Sequence, residues 1–199
     1  MAAVPTTTGR RERNKQEKLR RITEAASRLF AERGVDEVTT QEIADAADIG
    51  TGTLFLYAKN KGELLLLVQN STYTDALVRG TEAAAGLDDP LDAVLAILRP
   101  VVECNRKQVD NGRTYLREMV FGDPDEPHHR EALELNARTE AAVAAVLGRD
   151  GTTSPDDASA RAAVVSGIMF LAMAPTLTAD RTVDEILAGV AQQVRLLLP

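Results

Sequence analysis

Thr39-Thr40-Gln41-Glu42-Ile43-Ala44-Asp45-Ala46-Ala47-Asp48-Ile49-Gly50-Thr51-Gly52-Thr53-Leu54-Phe55-Leu56-Tyr57 reads as two short helices joined by a tight turn. Thr39 or Thr40 can cap the first, Glu42 sits in its first turn, and Ile43, Ala44 and Ala47 face inward. After the glycine-containing turn Asp48-Ile49-Gly50, the segment Thr51 to Tyr57 is too short to be helical on its own. Packing must hold it, and the small residues Ala44, Ala46 and Ala47 let the two helices cross closely. This is the pattern of a helix-turn-helix, whose second helix can lie in the major groove of DNA. The face it would offer carries Thr51, Gly52, Thr53 and Phe55. Threonine methyls and hydroxyls suit base edges, and glycine allows close backbone approach. Leu54 reads as core.

Outward from this segment, periodicity predicts further helices and no strands. Leu19, Ile22, Ala26, Leu29 and Phe30 form one stripe of a helix over 11–32, with Gly34 placed for a left-handed cap. Asn60 caps a long helix over 61–82. Turn residues then divide the rest into helices near 90–109, 113–121, 127–147, 156–177 and 182–197. Pro100 should kink the first of these, and Pro175 should bend or end the fourth. The fold class is all-α: a three-helix DNA-binding domain over 10–60 and a helical domain over 61–199, after a disordered tail at 1–9.

Charge is unevenly spread along the 199 residues, whose formal net charge is -7. Residues 1–64 hold 11 basic against 10 acidic side chains, whereas residues 65–199 hold 12 against 20. Arg10, Arg11, Arg13, Lys15, Lys18, Arg20 and Arg21 concentrate the positive charge at one end. A basic entrance on an acidic body suggests an anionic partner for that end alone. No apolar run is long enough to span a bilayer, and no apolar stretch follows the basic residues as a secretory signal requires. We therefore expect a cytoplasmic protein without a membrane partner.

A basic first helix followed by T-x-x-x-I-A-x-x-A-x-(V/I)-x-x-G-(T/S)-(L/I)-(Y/F)-x-Y and S-K-x-x-L resembles the TetR family of transcription regulators. Thr39, Ile43, Ala44, Ala47, Ile49, Gly52, Thr53, Leu54, Phe55, Tyr57, Lys61 and Leu64 meet that pattern in register, within a resemblance over about residues 13–68. It implies that Thr40, Gln41, Tyr57 and Lys61 grip phosphates while Thr51, Gly52, Thr53 and Phe55 meet base edges. The start of the long helix adds free amides and a positive dipole end to the Lys61 ammonium. Lys59 and the arginines of 10–21 could add phosphate or minor-groove contacts. Two positions depart from the family pattern. Ala58 replaces an aromatic, which implies looser packing behind the reading helix, and Gly62 weakens the first turn of the long helix.

The resemblance further implies a C-terminal domain that dimerises and encloses a small-molecule pocket. Helix 156–177 is apolar nearly all round, and 182–197 presents Val183, Ile186, Leu187, Val190, Val194 and Leu197 on one face, so both are candidates for the dimer surface. Tyr73, Leu77, Leu98, Val102, Cys104, Tyr115, Met119, Phe121, Met169 and Met173 are the candidate lining of a pocket for a small apolar or amphipathic ligand. Glu103, Asn105 and Arg117 read as surface groups. Adjacent His128 and His129 splay apart on a helix, so we assign no metal site, and Cys104 reads as a buried small residue.

No cofactor is implied. There is no phosphate-cradling glycine motif, nucleophile with a base, or carboxylate pair of the kind an enzyme needs. The reading is a homodimeric, ligand-responsive regulator, most simply a repressor, on a palindromic double-stranded operator. Its rival is an all-α interaction or ligand-binding protein that no longer reads DNA.

Overall fold

The computed structural model describes residues 7–198, and within them the chain forms nine α-helices and two 3₁₀ turns without a strand. They are α1 (Thr7–Arg33), α2 (Thr40–Ala46), α3 (Thr51–Leu54), α4 (Lys61–Ala84), α5 (Pro90–Arg106), α6 (Val109–Phe121), α7 (Pro127–Leu147), α8 (Pro155–Met173) and α9 (Val183–Val194). The all-α expectation holds. Residues 1–6 of the expected tail lie outside the described residues, but 7–9 are helical. Extending an existing helix costs far less than starting one, so α1 reaches back past Gly9.

The head, α1 to α3, closes over Ile22, Ala26, Phe30, Val35, Val38, Ile43, Ala44, Ala47 and Leu54, each almost fully buried. Gly34 ends α1 at φ 81°, a left-handed cap that an L side chain would strain. Phe30 is 1% exposed at the centre of this small core. Truncating such a residue to Ala typically costs about 3–5 kcal/mol.

The long α4 leaves the head at Lys61 and becomes the spine of the body, against which α5, α6 and α7 pack. Gly80 permits the α4–α5 crossing, since a Cβ there would lie 2.5 Å from the Ile97 carbonyl oxygen. The turn expected at Asn111-Gly112 is instead the first turn of α6, with the Gln108 side chain capping the Asn111 amide at 2.7 Å. α5 runs through Pro100 as helix, and α8 stops two residues before Pro175, which begins the 3₁₀ turn Thr176–Thr178. α9 packs on α5 and α8, ending in a second 3₁₀ turn at Arg195–Leu197.

Candidate nucleic-acid interface and ligand cavity

Thr39 caps α2 and forms a reciprocal capping box with Glu42. The Thr39 backbone amide, then the Arg33 guanidinium and the Thr39 hydroxyl, bind the Glu42 carboxylate and pull its pKa down to about 2. The left-handed residue of the turn is Asp48 (φ 52°), whereas Gly50 is an ordinary extended N-cap of α3. Aspartate tolerates this conformation, and its carboxylate meets Arg21 of α1 at 3.1 Å. The left-handed bend of the glycine-containing turn is thus carried by Asp48.

α3 is only four residues long and continues as tight turns, Leu56 donating to Thr53 and both Tyr57 and Ala58 to Leu54. Leu54 is buried, as is Ala58, whose small side chain sits within the core behind the segment. Gly52 is exposed with open space above it, Phe55 is 44% exposed, and Thr51 and Thr53 are half-buried at the edge of the same surface. Leu56, missed in the sequence reading, is 83% exposed beside them. Its apolar character hid it, because nothing in so short a segment separates an outward leucine from an inward one.

The Thr51 hydroxyl donates to Gln41 Oε1 at 2.6 Å, and Gln41 Nε2 donates to Asp45 at 2.8 Å, so the starts of α2 and α3 are laced together. Thr40 is half-buried beside Gln41. Lys61 Nζ donates to the Asp36 carbonyl at 3.1 Å, which leaves two ammonium protons for an anion. Tyr57 differs. Its single hydroxyl proton is donated to the Lys15 carbonyl at 3.3 Å, so its first role is to pin the segment to α1. Arg20 is held between Glu17 and Glu24, whereas Arg10, Arg11, Arg13, Lys15 and Lys18 are exposed and form no salt bridge among the described residues. Lys59 pairs with the buried carboxylate of Glu126 on the body.

In the body, Tyr73, Tyr115, Met119, Met169 and Met173 come together around a cavity of about 40 Å³, with Val101, Leu116, Ala132, Leu135, Asn136 and Thr139 completing its wall. Leu77, Leu98 and Val102 are buried elsewhere in the core. Phe121 is 78% exposed and lies on a separate surface groove with Arg113, Arg117 and Phe170, because α6 ends there and its last turn has nothing to pack under. Cys104 packs at the core edge, where burial pushes its thiol up to about 11. Asn105 is not a surface group: it is 1% exposed and donates to the Tyr73 hydroxyl at 3.1 Å.

His129 is also buried, its Nε2 donating to the Met119 carbonyl at 3.0 Å, while His128 Nε2 donates to the Tyr57 carbonyl at 2.9 Å. Both rings are tied to backbone in different directions. No cluster of three or more metal-ligating side chains occurs among the described residues. Nor is any described helix long and apolar enough to cross a membrane.

The signature of bacterial regulatory proteins of the tetR family matches residues 22–68, from the middle of α1 into α4. That likeness lies in the head and the first turns of α4. The chain is 35% identical over 88 residues to the probable HTH-type transcriptional regulator ArpR of Pseudomonas putida, and 34% identical over 88 residues to the HTH-type transcriptional regulator TtgR of the same species. Each alignment covers 43% of this chain and 41% of the relative, so less than half of each curated regulator is matched. The fold agrees over a much longer span. A TetR transcriptional regulator from Rhodococcus sp. RHA1 superposes with a TM-score of 0.71 at 16% identity, over 93% of this chain and 97% of that one. Thermus thermophilus FadR, solved with lauroyl-CoA, gives 0.71 at 24% identity over 90% and 92%. RolR, solved with resorcinol, gives 0.66 at 22% over 94% and 98%. The TetR-type head is thus set on a body of the architecture those regulators share.

Proposed function

We propose that the chain is a homodimeric transcriptional regulator that acts in the cytoplasm on a palindromic operator and is released from it by a small molecule. One observation carries the reading: the segment 51–57 presents Gly52, Phe55 and Leu56 to solvent while Leu54 and Ala58 anchor it from behind. A small folded head has no folding reason to expose such a surface beside Lys61 and the basic face of α1. Thr51, Thr53 and Phe55 then meet base edges, Gly52 lets the backbone come close, and Lys61, Thr40 and Gln41 hold phosphates.

The dimer is built on α8. Ala160, Ala163, Val164, Gly167 and Leu171 are all exposed and follow helical spacing, giving an uncharged stripe with a glycine at its centre. Such a stripe packed on its own symmetry copy forms an isologous contact, and two heads then meet half-sites about one helical turn, ~34–36 Å, apart. The cavity between Tyr73, Tyr115 and the three methionines receives the ligand, and two regulators of like fold, FadR and RolR, were solved with lauroyl-CoA and resorcinol. At about 40 Å³ it has room for little more than water, so a guest must shift its walls. A ligand that fits only the shifted form withdraws that population from the DNA-competent one.

The test is selection of bound duplexes from a random pool by the purified protein at moderate salt. The reading expects an enriched inverted repeat, steep loss of affinity with salt, and a changed base preference for Thr53→Ala where Lys61→Ala weakens every duplex alike. A folded dimer that enriches nothing would refute it and favour an interaction module that kept the fold without the reading.

A further inference from the structure

A line of polar side chains, buried at Tyr115 and Asn70 and half-buried at His128, crosses the body from the cavity to the reading segment. At the cavity, the rings of Tyr73 and Tyr115 stack with centroids 4.3 Å apart. The Tyr115 hydroxyl donates to Asn70 Oδ1 at 3.0 Å. Asn70, 1% exposed in α4, uses its amide nitrogen twice, donating to the His128 carbonyl at 3.0 Å and to Glu131 Oε2 at 2.9 Å. His128, in the first turn of α7, donates from Nε2 to the carbonyl of Tyr57, the residue that closes the reading segment. The backbone amide of His128 also donates to the buried Glu63 carboxylate, in the first turn of α4, at 3.3 Å.

Leucine would fill the site of Asn70 without the desolvation cost that a buried amide carries. What the amide supplies is geometry. Three bonds converge on one planar group, so Tyr115, α4 and the first turn of α7 have a single mutual arrangement in which all are satisfied. The Tyr57 carbonyl, in turn, has its direction set by the imidazole of His128, whose Nε2 must carry the proton because a carbonyl can only accept.

We propose that Asn70 and His128 are positioning residues that transmit the state of the cavity to the reading segment. The proposal rests on the cavity being the ligand site. A guest wedged beside Tyr115 displaces a ring whose hydroxyl is tied to Asn70. Asn70 then cannot hold both Tyr115 and the first turn of α7, and His128 loses its register on Tyr57. The coupling is built from discrete hydrogen bonds, so it breaks in steps and not gradually.

The experiment is a double-mutant cycle read by amide hydrogen exchange in the full-length protein, without ligand or DNA. Tyr115→Phe removes one oxygen from an otherwise unchanged ring, and His128→Leu removes the donor to Tyr57. We expect each single variant to raise exchange of the amides of 51–58 by about five- to tenfold, with α9 unchanged as the internal control. The double variant should exchange no faster than the faster single one, because a broken relay cannot be broken again. His128→Gln, which keeps a side-chain N–H, should restore most of the protection, and Asn70→Leu should reproduce Tyr115→Phe. Tyr115→Phe that leaves 51–58 within twofold of the parent, or effects of the two substitutions that multiply, would overturn the relay. Failure to enrich any duplex sinks the DNA-reading proposal separately, since exchange decides the relay without DNA.

Discussion

Replacing Asn111 with Leu should loosen the head from the body. Asn111 is 3% exposed near the start of α6, and its side chain reaches across to the end of α1. Its Oδ1 accepts from the Val35 amide at 2.7 Å and its Nδ2 donates to the Phe30 carbonyl at 2.8 Å. Leucine has the same number of side-chain heavy atoms and the same branching, so the substitution removes two hydrogen bonds without opening a cavity. The two losses are unequal. The Phe30 carbonyl still accepts from the Gly34 amide at 2.9 Å, whereas Val35, itself 1% exposed, is left with a buried donor and no acceptor. A net hydrogen bond is worth about 1 kcal/mol and an orphaned buried amide costs about 1–3 kcal/mol, so the total is about 3 kcal/mol. With a urea m-value of about 2–3 kcal/mol/M, the midpoint of equilibrium unfolding at fixed protein concentration should fall by about 1 M. Hydrogen exchange over 30–38 should accelerate in the same variant. Asn111→Ala should cost less, because the space it leaves can admit a water to Val35. A midpoint shift below about 0.3 M for Asn111→Leu, or a larger shift for Asn111→Ala, would refute the reasoning.

Three further outcomes follow from the geometry. Leu171→Glu puts a charge at the C-terminal end of the α8 stripe twice over in a symmetric dimer; the dissociation constant from analytical ultracentrifugation should rise on the order of 10³-fold, while helicity stays that of the parent. Cys104, its thiol held up at about 11 by burial against the opposing pull of Lys107 and Arg79, should react with iodoacetamide at pH 8 on the order of 100-fold more slowly than a free cysteine. An alkylation rate near that of glutathione would contradict the burial. Glu42 has its carboxyl lowered from 4.5 to about 2, so its stabilisation of α2 is whole above pH 4.5 and drains away as the pH falls towards 2. Acid titration of the head by NMR should show this loss in the parent and a flatter profile in Glu42→Gln, and identical profiles would count against the capping box.

Much of the head was legible because its signals are local. A cap at Thr39, a periodic stripe from Ile22 to Phe30 and a glycine at 34 each act within a turn or two of their own position, so reading along the chain suffices. The misreadings lie where local signals compete with distant ones. Asn111-Gly112 has the composition of a turn, yet the pair sits inside α6, because the Asn111 amide serves the end of α1 and a Cβ on Gly112 would overlap the Asn105 carbonyl. In the turn after α2 the left-handed position falls to Asp48, which meets Arg21, twenty-seven residues away, a partner the local sequence does not announce.

The candidate cavity shows the same division. Aromatic and sulfur-bearing residues on amphipathic helices mark which side chains can line a void, and five of the ten so chosen do. The other five are separated from it by helix rotation and crossing angle, which hydrophobic periodicity alone does not determine. The polar relay was wholly invisible in the sequence: Tyr115 and His128 lie 45 and 58 residues along the chain from Asn70, and nothing near any of the three announces the others.

By itself, then, the amino-acid order determined that this chain is helical, where most helices begin and end, and that residues 39–61 form a helix-turn-helix leading into a long helix. Those properties follow from backbone propensity, caps and periodic burial, all short-range. Only the tertiary structure decided which buried polar groups find each other, that Tyr57 is committed to α1 and α7, and that Leu56 and the α8 stripe are left facing solvent. These depend on how helices far apart in sequence cross, and a partner supplied by another helix leaves no mark on the residues beside the one it satisfies.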